Sequence, residues 1–384
     1  MLLSRGKVAY NGPVNGVRDY FAQLGHSMPL YMNPAEFVID LVNTDFSRDQ
    51  AKSSLDLSHL HSSWTSSSTA ANLAHTIAAA SSTPTSEKPA HHTRDTANPM
   101  FIPLTLIHRS FIKSYRDIVA YGIRIAMYIG LAIMMGTVWL RLSPTQSNIQ
   151  NFTNAIFFGG AFMSFMAVAY IPAYLEDLAL FSKERSNGLY GPTPFMLANF
   201  VIGVPYLFLI TILFSVISYF LGNFQPTAQG FATWVMWLFL DLLAAESLVV
   251  LLSSAIPIFV VALAATAFAN GLWMCVNGFM VQPATLNVFW RYVFHYIDYQ
   301  AYVFRGMMVN EFGKREYSCE RLEDGGCYCM YPSKLEGQCM IDGQAVLGSY
   351  GYNTEDVGKY VGYMVVIVLV YRLLGWLTLY LRKH

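Results

Sequence analysis

The fold is decided by two neighbouring apolar runs, FATWVMWLFLDLLAAESLVVLLSS at 231–254 and IFVVALAATAFANGLWMCVNGFMV at 258–281. Asp241 and Glu246 are the only charged residues in the two runs. An α-helix needs about 20 mostly apolar residues to cross the hydrocarbon core of a bilayer, and each run is longer than that. Because lipid offers no hydrogen bonds, the backbone of such a segment must satisfy its own polar groups, as an α-helix does. Both runs therefore predict membrane-spanning helices.

The composition of the whole chain agrees with a membrane protein. Its 384 residues are 54% hydrophobic and 12% charged, whereas soluble domains contain about 25% charged residues. Lys+Arg and Asp+Glu number 24 each, so no basic surface for nucleic acid is implied. The stretch 118–280 is especially poor in charge, and its charged residues are Arg124, Arg141, Glu176, Asp177, Lys183, Glu184, Arg185, Asp241 and Glu246. So few charges exclude a water-soluble fold for this stretch.

Six segments have the length and apolar content of a membrane-spanning helix. They are predicted at 118–140, 152–175, 195–221, 231–254, 258–281 and 361–380. An amphipathic helix at 101–115 precedes them, and such a helix lies along a membrane surface. The predicted fold class is thus an all-α membrane protein with six transmembrane helices, an amphipathic connecting helix and a large cysteine-containing extracellular loop at 282–359.

The basic residues near the segment ends predict the orientation. Lys and Arg lie before the first segment, between the second and third, and after the sixth. Cytosolic flanks carry an excess of these residues, and six crossings put all three places on the same side. We therefore expect a multi-pass integral protein of the plasma membrane or an endomembrane, with both termini in the cytosol and the loop 282–359 outside.

Four of the five cysteines cluster in the predicted outer loop, namely Cys319, Cys327, Cys329 and Cys339. Clustered cysteines in an oxidising compartment indicate disulfides, and four cysteines allow three pairings between which the sequence does not choose. A zinc site is the rival interpretation. It is less favoured, because the close pair is spaced CxC rather than CxxC and no second pair or His pair frames it. No metal site is predicted.

The first 46 residues have the pattern of the edge of a soluble domain. Turn residues around a short apolar run predict a strand hairpin at 2–13. The spacing at 17–24 predicts a helix that ends at Gly25, and Asn33-Pro34 predicts the start of another. So short a segment cannot form a stable core alone, and it is interpreted as part of a larger domain.

The composition changes after this first segment. Residues 47–97 are rich in Ser, Thr, Ala and His and predict a flexible linker. The membrane domain is then predicted to occupy 98–384.

Several short motifs, in the same order along the chain, carry a family resemblance. They are Tyr20-Phe21, NPAEF at 33–37, RSFIKSYRD at 109–117, Asn277-Gly278-Phe279, Trp290 and VNEF at 309–312. Together they resemble the White (ABCG) subfamily of ATP-binding cassette transporters. The resemblance implies that 98–384 is an ABC-2 type transmembrane domain and that 1–46 is the C-terminal remnant of a nucleotide-binding domain.

The sequence lacks the motifs that bind ATP in this family. A Walker A loop, GxxxxGK[ST], is needed to wrap phosphate in backbone N–H groups and to place a Lys beside it. None of the Gly-Lys pairs has this context, and no LSGGQ signature or Walker B strand is present. No ATPase activity of this chain alone is predicted. ATP and Mg²⁺ are expected to bind to a nucleotide-binding domain that is absent from this sequence. Either the domain was removed by truncation, which is the favoured interpretation, or a partner supplies it.

The resemblance implies a set of residues that couple the membrane helices to the nucleotide-binding domain. In the family the loop between the second and third spans carries a coupling helix. The role is transferred to the charged residues of that loop, Glu176, Asp177, Glu184 and Arg185. The alternative is a charged loop that only sets the membrane topology.

The resemblance also implies a cavity for apolar cargo on the two-fold axis of a dimer. Phe165 and Met274 are expected to face this cavity, and Phe279 and Met280 to form an apolar plug above it. Aromatic rings and thioethers contact many flat hydrophobic molecules. Packing between helices or exposure to lipid is the alternative for each residue.

Asp241 and Glu246 are acids within a predicted span, where an unpaired charge is costly. They lie about 140° apart around a helix and form no carboxylate pair. A proton relay is one interpretation. Pairing with a polar neighbour such as Arg124 is the other, and it is preferred.

The function that follows from the resemblance is export. The chain is expected to be the transmembrane half of an ATP-driven exporter of lipophilic cargo, such as lipids, sterols or drug-like compounds. It would work by alternating access as a homodimer or heterodimer with a second half, surrounded by membrane lipid. The alternatives are a truncated non-transporting fragment, a regulatory subunit and, less favoured, a membrane enzyme or channel.

Overall fold

The computed structural model describes residues 1–43, 50–82, 98, 100–322 and 326–382. The chain divides into two compact units, Met1–Arg94 and Asp95–His384.

The first unit begins with an antiparallel hairpin of β1 (Leu2–Ser4) and β2 (Lys7–Tyr10). Its two-residue turn, Arg5-Gly6, has positive φ at both positions, the geometry that matches the twist of a hairpin. Four helices follow, α1 (Val17–Gln23), α2 (Pro34–Val42), α3 (Gln50–Thr65) and α4 (Ser68–Ser82). The predicted hairpin and the two predicted helix positions are confirmed, and Asn33 caps α2 by accepting a hydrogen bond from the Ala35 N–H.

The predicted linker at 47–97 differs from the structure, because α3 and α4 lie within it. Leu57, Leu60 and Trp64 recur at helical spacing on α3 and are buried. The Trp64 ring meets the Tyr10 ring at 6.0 Å between centroids. These three apolar residues were not recognised as a helical pattern in the sequence, because Ser and His residues surround them. Residues 44–49, 83–97 and 99 of this region lie outside the described residues.

The second unit is mainly helical. Its helices are α5 (Phe101–Arg116), α6 (Ile123–Val138), α7 (Ile149–Phe165), α8 (Ile171–Ser186), α9 (Pro192–Gly222), α10 (Ala228–Ala255), α11 (Phe259–Val276), α12 (Tyr299–Phe312), α13 (Gly343–Tyr350) and α14 (Val357–Leu381). Short strands β3 (Glu316–Ser318), β4 (Glu320–Arg321), β5 (Cys327–Tyr328) and β6 (Met340–Asp342) lie between α12 and α13.

In the described part of the chain, five helical segments are long and apolar enough to cross a membrane: Gln146–Ser186, Pro192–Gly222, Ala228–Ala255, Phe259–Val276 and Val357–Leu381. They match five of the six predicted segments. The first predicted segment is a shorter apolar helix, α6, which a π-helical turn at Ile118–Gly122 extends at its N-terminal end.

Two predicted boundaries differ from the structure. The second segment was expected to end near residue 175, but helical structure continues to Ser186. The charged residues predicted to lie in a loop there are therefore helical. Lys183 and Arg185 in the last turn favour this, since cations stabilise a helix C-terminus. The fifth segment ends early at Val276, because Gly278 adopts φ +100° and turns the chain.

Helix α10 forms the centre of the second unit. It packs against α7, α9, α12 and α14, and its two predicted intramembrane acids are completely buried. By contrast, α9, α11 and α14 expose much of their apolar surface. Apolar side chains on an outer face are what lipid requires.

A buried ion pair joins α6 to α10. Arg124 donates to Glu246 over 2.7 Å, and the two side chains are 3% and 1% exposed. The rings of Tyr128, Tyr170 and Tyr206 surround the Arg124 guanidinium at 5.1 to 5.9 Å. The preferred prediction, pairing with Arg124, is thus confirmed for Glu246. Asp241 has no such partner.

The region 282–359, predicted as an outer loop, is largely folded. Helix α12 is buried along most of its length, and its Glu311 accepts hydrogen bonds from Arg315 and from the backbone N–H of Gln225. The cysteines form two disulfides, Cys319–Cys329 and Cys327–Cys339, with Cα atoms 4.9 and 5.5 Å apart. This confirms the disulfide interpretation and selects one of the three pairings.

Replacing Arg124 by Met will leave the Glu246 carboxylate buried without its cation, and we expect the free energy of unfolding to fall by about 3–5 kcal/mol. The double variant Arg124→Met/Glu246→Leu will regain most of this loss, because no buried charge remains. Denaturant unfolding of the purified chain in detergent measures both, with the exposed Arg116→Met as control. Equal losses in the single and double variants would contradict a stabilising pair.

The disulfide pairing can be tested by mass spectrometry without reduction. Trypsin cleaves after Arg321 and Lys334, and chymotrypsin cleaves after Tyr328, so digestion separates all four cysteines. We expect linked peptides for Cys319 with Cys329 and for Cys327 with Cys339. A peptide that links Cys319 to Cys327 or to Cys339 would refute this pairing.

Candidate functional site

The four predicted coupling residues lie on α8, and three of them, Glu176, Asp177 and Glu184, contact α5, which runs antiparallel to α8. Arg109 contacts Glu184 over 2.6 Å. One helical turn further along α5, Lys113 contacts Asp177 over 2.8 Å and Glu176 over 3.5 Å. The structure therefore brings three of the four coupling residues together on one helix face.

The connection between α8 and α9 joins this contact. The hydroxyl of Tyr190 donates to Glu184 and accepts from Arg109, so the start of the connection to α9 is held against α5 and α8. Arg185, the fourth predicted residue, turns away from α5 and donates to the backbone carbonyl of Leu379 on α14 over 2.5 Å. The end of α8 is thus tied both to α5 and to the last span.

The electrostatics of this contact keep Arg109 and Lys113 positively charged. Burial alone lowers the pKa of Lys113, but the hydrogen bond to Asp177 and the charges of Asp177 and Glu176 outweigh it, and the pKa is raised. The pKa of Arg109 is raised in the same way: burial lowers it, and the bonds to Glu184 and Tyr190 more than compensate. Both cations stay charged throughout the physiological pH range.

A cavity of about 370 Å³ opens beside the ion pairs, between α5, α8 and α9. Its polar wall carries Arg109, Lys113 and Lys183, and its apolar wall carries Leu106, Leu180 and Phe195. The ion pairs and this cavity form one amphipathic region, which we name the α5–α8 junction.

From the sequence, Arg109 and Lys113 served to orient the chain and formed part of the motif at 109–117, but they were not identified as partners of the acids. A spacing signal was present. Arg109 and Lys113 are four residues apart, and Asp177 and Glu184 are seven apart, so each pair occupies one face of its helix. That these faces meet depends on tertiary packing.

The predicted apolar plug begins at a tight turn after α11. Asn277 Oδ1 accepts a hydrogen bond from the Phe279 N–H over 3.0 Å. A Cβ atom at Gly278 would lie 2.9 Å from the Tyr352 hydroxyl, so only glycine fits the turn. The turn directs Phe279 onto α7, where its ring stacks on Phe157 with centroids 4.1 Å apart.

The other predicted cavity residues are placed differently. Met274 is partly buried against the core. Phe165 at the end of α7 is 38% exposed, and Met280 is 57% exposed. The single chain therefore does not gather the four residues into one cluster: Phe279 packs inward, whereas Phe165 and Met280 lie on the surface.

The ion pair between Arg109 and Glu184 predicts rescue by charge exchange. Arg109→Glu will place two carboxylates together and lower the free energy of unfolding, and adding Glu184→Arg will restore part of it. Because Arg109 is partly exposed, we expect a coupling energy of only about 0.5–1 kcal/mol in a double-mutant cycle followed by thermal unfolding. Lys183→Glu, at a residue without an ion pair in the described part of the chain, should show no coupling to Glu184→Arg.

Comparison with known proteins agrees with this architecture. Two family models described as ABC-2 type transporter match the chain, one over residues 104–312 and one over residues 1–109. Similar proteins include ABC transporter G family member 1 of Petunia hybrida, which is 29% identical over 81% of this chain and 50% of its own length. ABC transporter G family member 11 of Arabidopsis thaliana is 28% identical over 81% of this chain and 47% of its own length.

The match can extend over the whole chain. ABC transporter G family member 23 of Arabidopsis thaliana is 25% identical over 100% of this chain and 56% of its own length. The chain thus spans about half the length of these relatives. Since the model for residues 104–312 covers more than half of the chain, this integral membrane protein belongs to the ABC-2 type transporter family.

Proposed function

We propose that this chain is the membrane half of an ATP-driven exporter of lipophilic molecules, such as lipids, sterols or drug-like compounds. Its membership of the ABC-2 type transporter family, over most of the second unit, is the observation that carries the proposal. Relatives named as ABC transporter G family members support it. The transport cycle would be alternating access by two such halves.

The energy for transport would come from a nucleotide-binding domain, whose sequence motifs this chain lacks. The 384 residues contain no GxxxxGK[ST] loop, which is the element that holds nucleotide phosphates. ATP and Mg²⁺ would therefore bind to a cassette that contacts the chain from the cytosol, the side on which both termini are proposed to lie.

Movement of the cassette would enter the membrane helices at the α5–α8 junction. Glu176, Asp177 and Glu184 are held there by cations of α5, and Arg185 connects the same helix end to α14. Ion pairs of this kind let a displacement of α5 move α8 as one body. We assign the coupling role to these four residues on this geometry.

The cargo path would lie on the surface that carries Phe165 and Met280. Both are large apolar side chains that the single chain leaves exposed, and a second half would cover them. Met274 and Phe279, which pack beside α7 and α11, would supply the inner wall. A wall of rings and thioethers suits flat apolar cargo, because such surfaces adapt to different shapes.

Reconstitution tests the proposal. The chain, alone or joined to a nucleotide-binding cassette of an ABC transporter G family member, is inserted into vesicles loaded with a lipophilic fluorescent dye. We expect ATP-dependent efflux only from the joined form. Efflux by the chain alone would show that the missing-cassette interpretation is wrong, and no efflux from a joined form that hydrolyses ATP would contradict the transporter assignment.

Site variants of the joined form separate coupling from cargo binding. Glu184→Ala should lower dye efflux several-fold at nearly unchanged ATP hydrolysis, because the cassette then moves without the helices. Phe279→Ala should raise the half-saturating dye concentration about ten-fold, which corresponds to about 1.4 kcal/mol of lost contact. Phe220→Ala, at an exposed residue of α9, is the control. Equal effects of Phe279→Ala and Phe220→Ala would contradict the cargo assignment.

A further inference from the structure

Asp241 is a buried acid whose carboxylate has no partner. It is the fourteenth of the 28 residues of α10 and therefore lies near the middle of a span. Its side chain is 0% exposed, and neither carboxylate oxygen has a hydrogen-bond partner. An Asp at the centre of a membrane helix costs about 2.5–3.5 kcal/mol on insertion scales, so its retention requires a compensating group.

Other unpartnered oxygens come from the start of α12. Gln300 Oε1 and Asp298 Oδ2 have no hydrogen-bond partner, and both residues are buried. Their remaining polar groups are in use: the Gln300 amide donates to Ser164 Oγ over 2.8 Å, and Asp298 Oδ1 caps α12 through the Gln300 N–H over 2.8 Å. The unpartnered side-chain atoms of these three residues are all hydrogen-bond acceptors.

Asp241 and Gln300 line the same small cavity. Asn277 also lines it, and the rings of Phe157 and Phe304 form its apolar walls. The cavity has room for about one particle of the size of a water molecule. One cavity is thus lined by two residues that have unpartnered buried oxygens, Asp241 and Gln300.

No Lys, Arg or His is among the described residues that line the cavity. Tyr128 on α6 and Asp298 and Tyr299 on α12 are the titratable groups that interact with Asp241. Burial, together with repulsion from Asp241, raises the pKa of Asp298 well above its usual range. Glu246, on the same helix as Asp241, is neutralised by Arg124. Among the described residues, neither Asp241 nor Asp298 forms an ion pair with Lys, Arg or His.

We propose that Asp241 and Gln300, with Asn277 beside them, form a binding site for one small monovalent cation, either Na⁺ or a proton that the Asp241 carboxyl carries and donates in a hydrogen bond to Gln300 Oε1. Such a ligand supplies what the unpartnered oxygens lack, namely positive charge and donors, and it fits the cavity. Buried charges in proteins are paired or bind ions, and sites for Na⁺ or H⁺ near the bilayer midplane use carboxylate and carbonyl oxygens.

A divalent metal fits less well. No group of three or more His, Cys, Asp or Glu side chains in the described parts of the chain is arranged to hold a metal ion. Ca²⁺ requires six to eight oxygen ligands, and Mg²⁺ requires an octahedral shell that usually includes several waters. One carboxylate, two amide side chains and space for a single small particle match a monovalent ion instead.

Thermal unfolding of the purified chain in lipid nanodiscs tests the site. Wild type, Asp241→Asn and Glu246→Gln are compared in NaCl and in choline chloride at fixed pH, and then at several pH values without Na⁺. If Na⁺ is the ligand, we expect it to raise the wild-type Tm by about 3 °C at a ten-fold excess over its dissociation constant. Asp241→Asn should abolish this increase. Glu246→Gln, which removes the other buried acid of α10, should lower the Tm but keep the response to Na⁺.

A proton carried by the Asp241 carboxyl predicts a different result. The Tm of wild type would not depend on Na⁺ but would fall as the pH rises, because the folded state alone holds the proton. Infrared spectra would then show the C=O band of a protonated carboxyl group that is missing in Asp241→Asn. If Asp241→Asn does not fold, Gln300→Met replaces it, since it removes the amide oxygen at similar side-chain length.

The outcomes are decisive in both directions. A response to Na⁺ or to pH that disappears in Asp241→Asn but survives in Glu246→Gln supports the site and identifies its ligand. A wild-type protein whose Tm is independent of Na⁺, and whose pH dependence and infrared spectrum are shared by Asp241→Asn, would overturn the proposal.

Discussion

The structure depends on one constraint: polar groups placed in lipid must find their partners inside the protein. The ion pair between Arg124 and Glu246 is the clearest response to it. Two charges that the bilayer would exclude are brought within 2.7 Å of each other, and three tyrosine rings cover the guanidinium. Because α6 can satisfy its arginine only against α10, this requirement determines which helices are neighbours.

The same constraint explains where polar and charged interactions lie along the spans. At the α5–α8 junction water is nearby, and the ion pairs there are partly exposed and individually weak. In the middle of the bundle, by contrast, Arg124 and Glu246 form a buried pair, and Asp241 lines a small cavity. Strong and specific interactions thus lie in the interior, and adjustable ones lie at the end where a moving domain is proposed to act.

The sequence predicted the long elements well and the pairings poorly. The segments at 195–221 and 231–254 match α9 and α10 to within three residues at each end, because lipid leaves only one way to satisfy an apolar backbone. The cysteine pairing was open among three choices, since it depends on strands β3 to β6 that are only two or three residues long. The burial of α3 was missed because three apolar residues were scattered through a polar stretch.

The candidate site was predictable to a similar degree. Glu176, Asp177 and Glu184 lie beside α5, whereas Arg185 contacts α14, and the cationic partners of the acids on α5 required the tertiary structure. Phe279 was identified from its position after Asn277-Gly278, whereas its stacking on Phe157 follows from the positive φ of the glycine and the space beneath it. Residue types and spacing indicate what a side chain can do, and packing decides which neighbour it meets.

The helical segment Gln146–Ser186 has a mechanical consequence. Its 41 residues, in which a 3₁₀ segment at Met166–Tyr170 joins α7 to α8, have a helical length of about 60 Å, twice the thickness of the hydrocarbon core of a bilayer. The part after Pro172 carries the acids that contact α5, and the part before it carries Phe157, on which the Phe279 ring stacks. If the whole segment tilts by only about 5°, one of its ends is displaced by about 5 Å relative to the other. A small movement at one end of the segment therefore becomes a larger displacement at the other end. The ratio of the two displacements depends on where along its length the bilayer holds the segment.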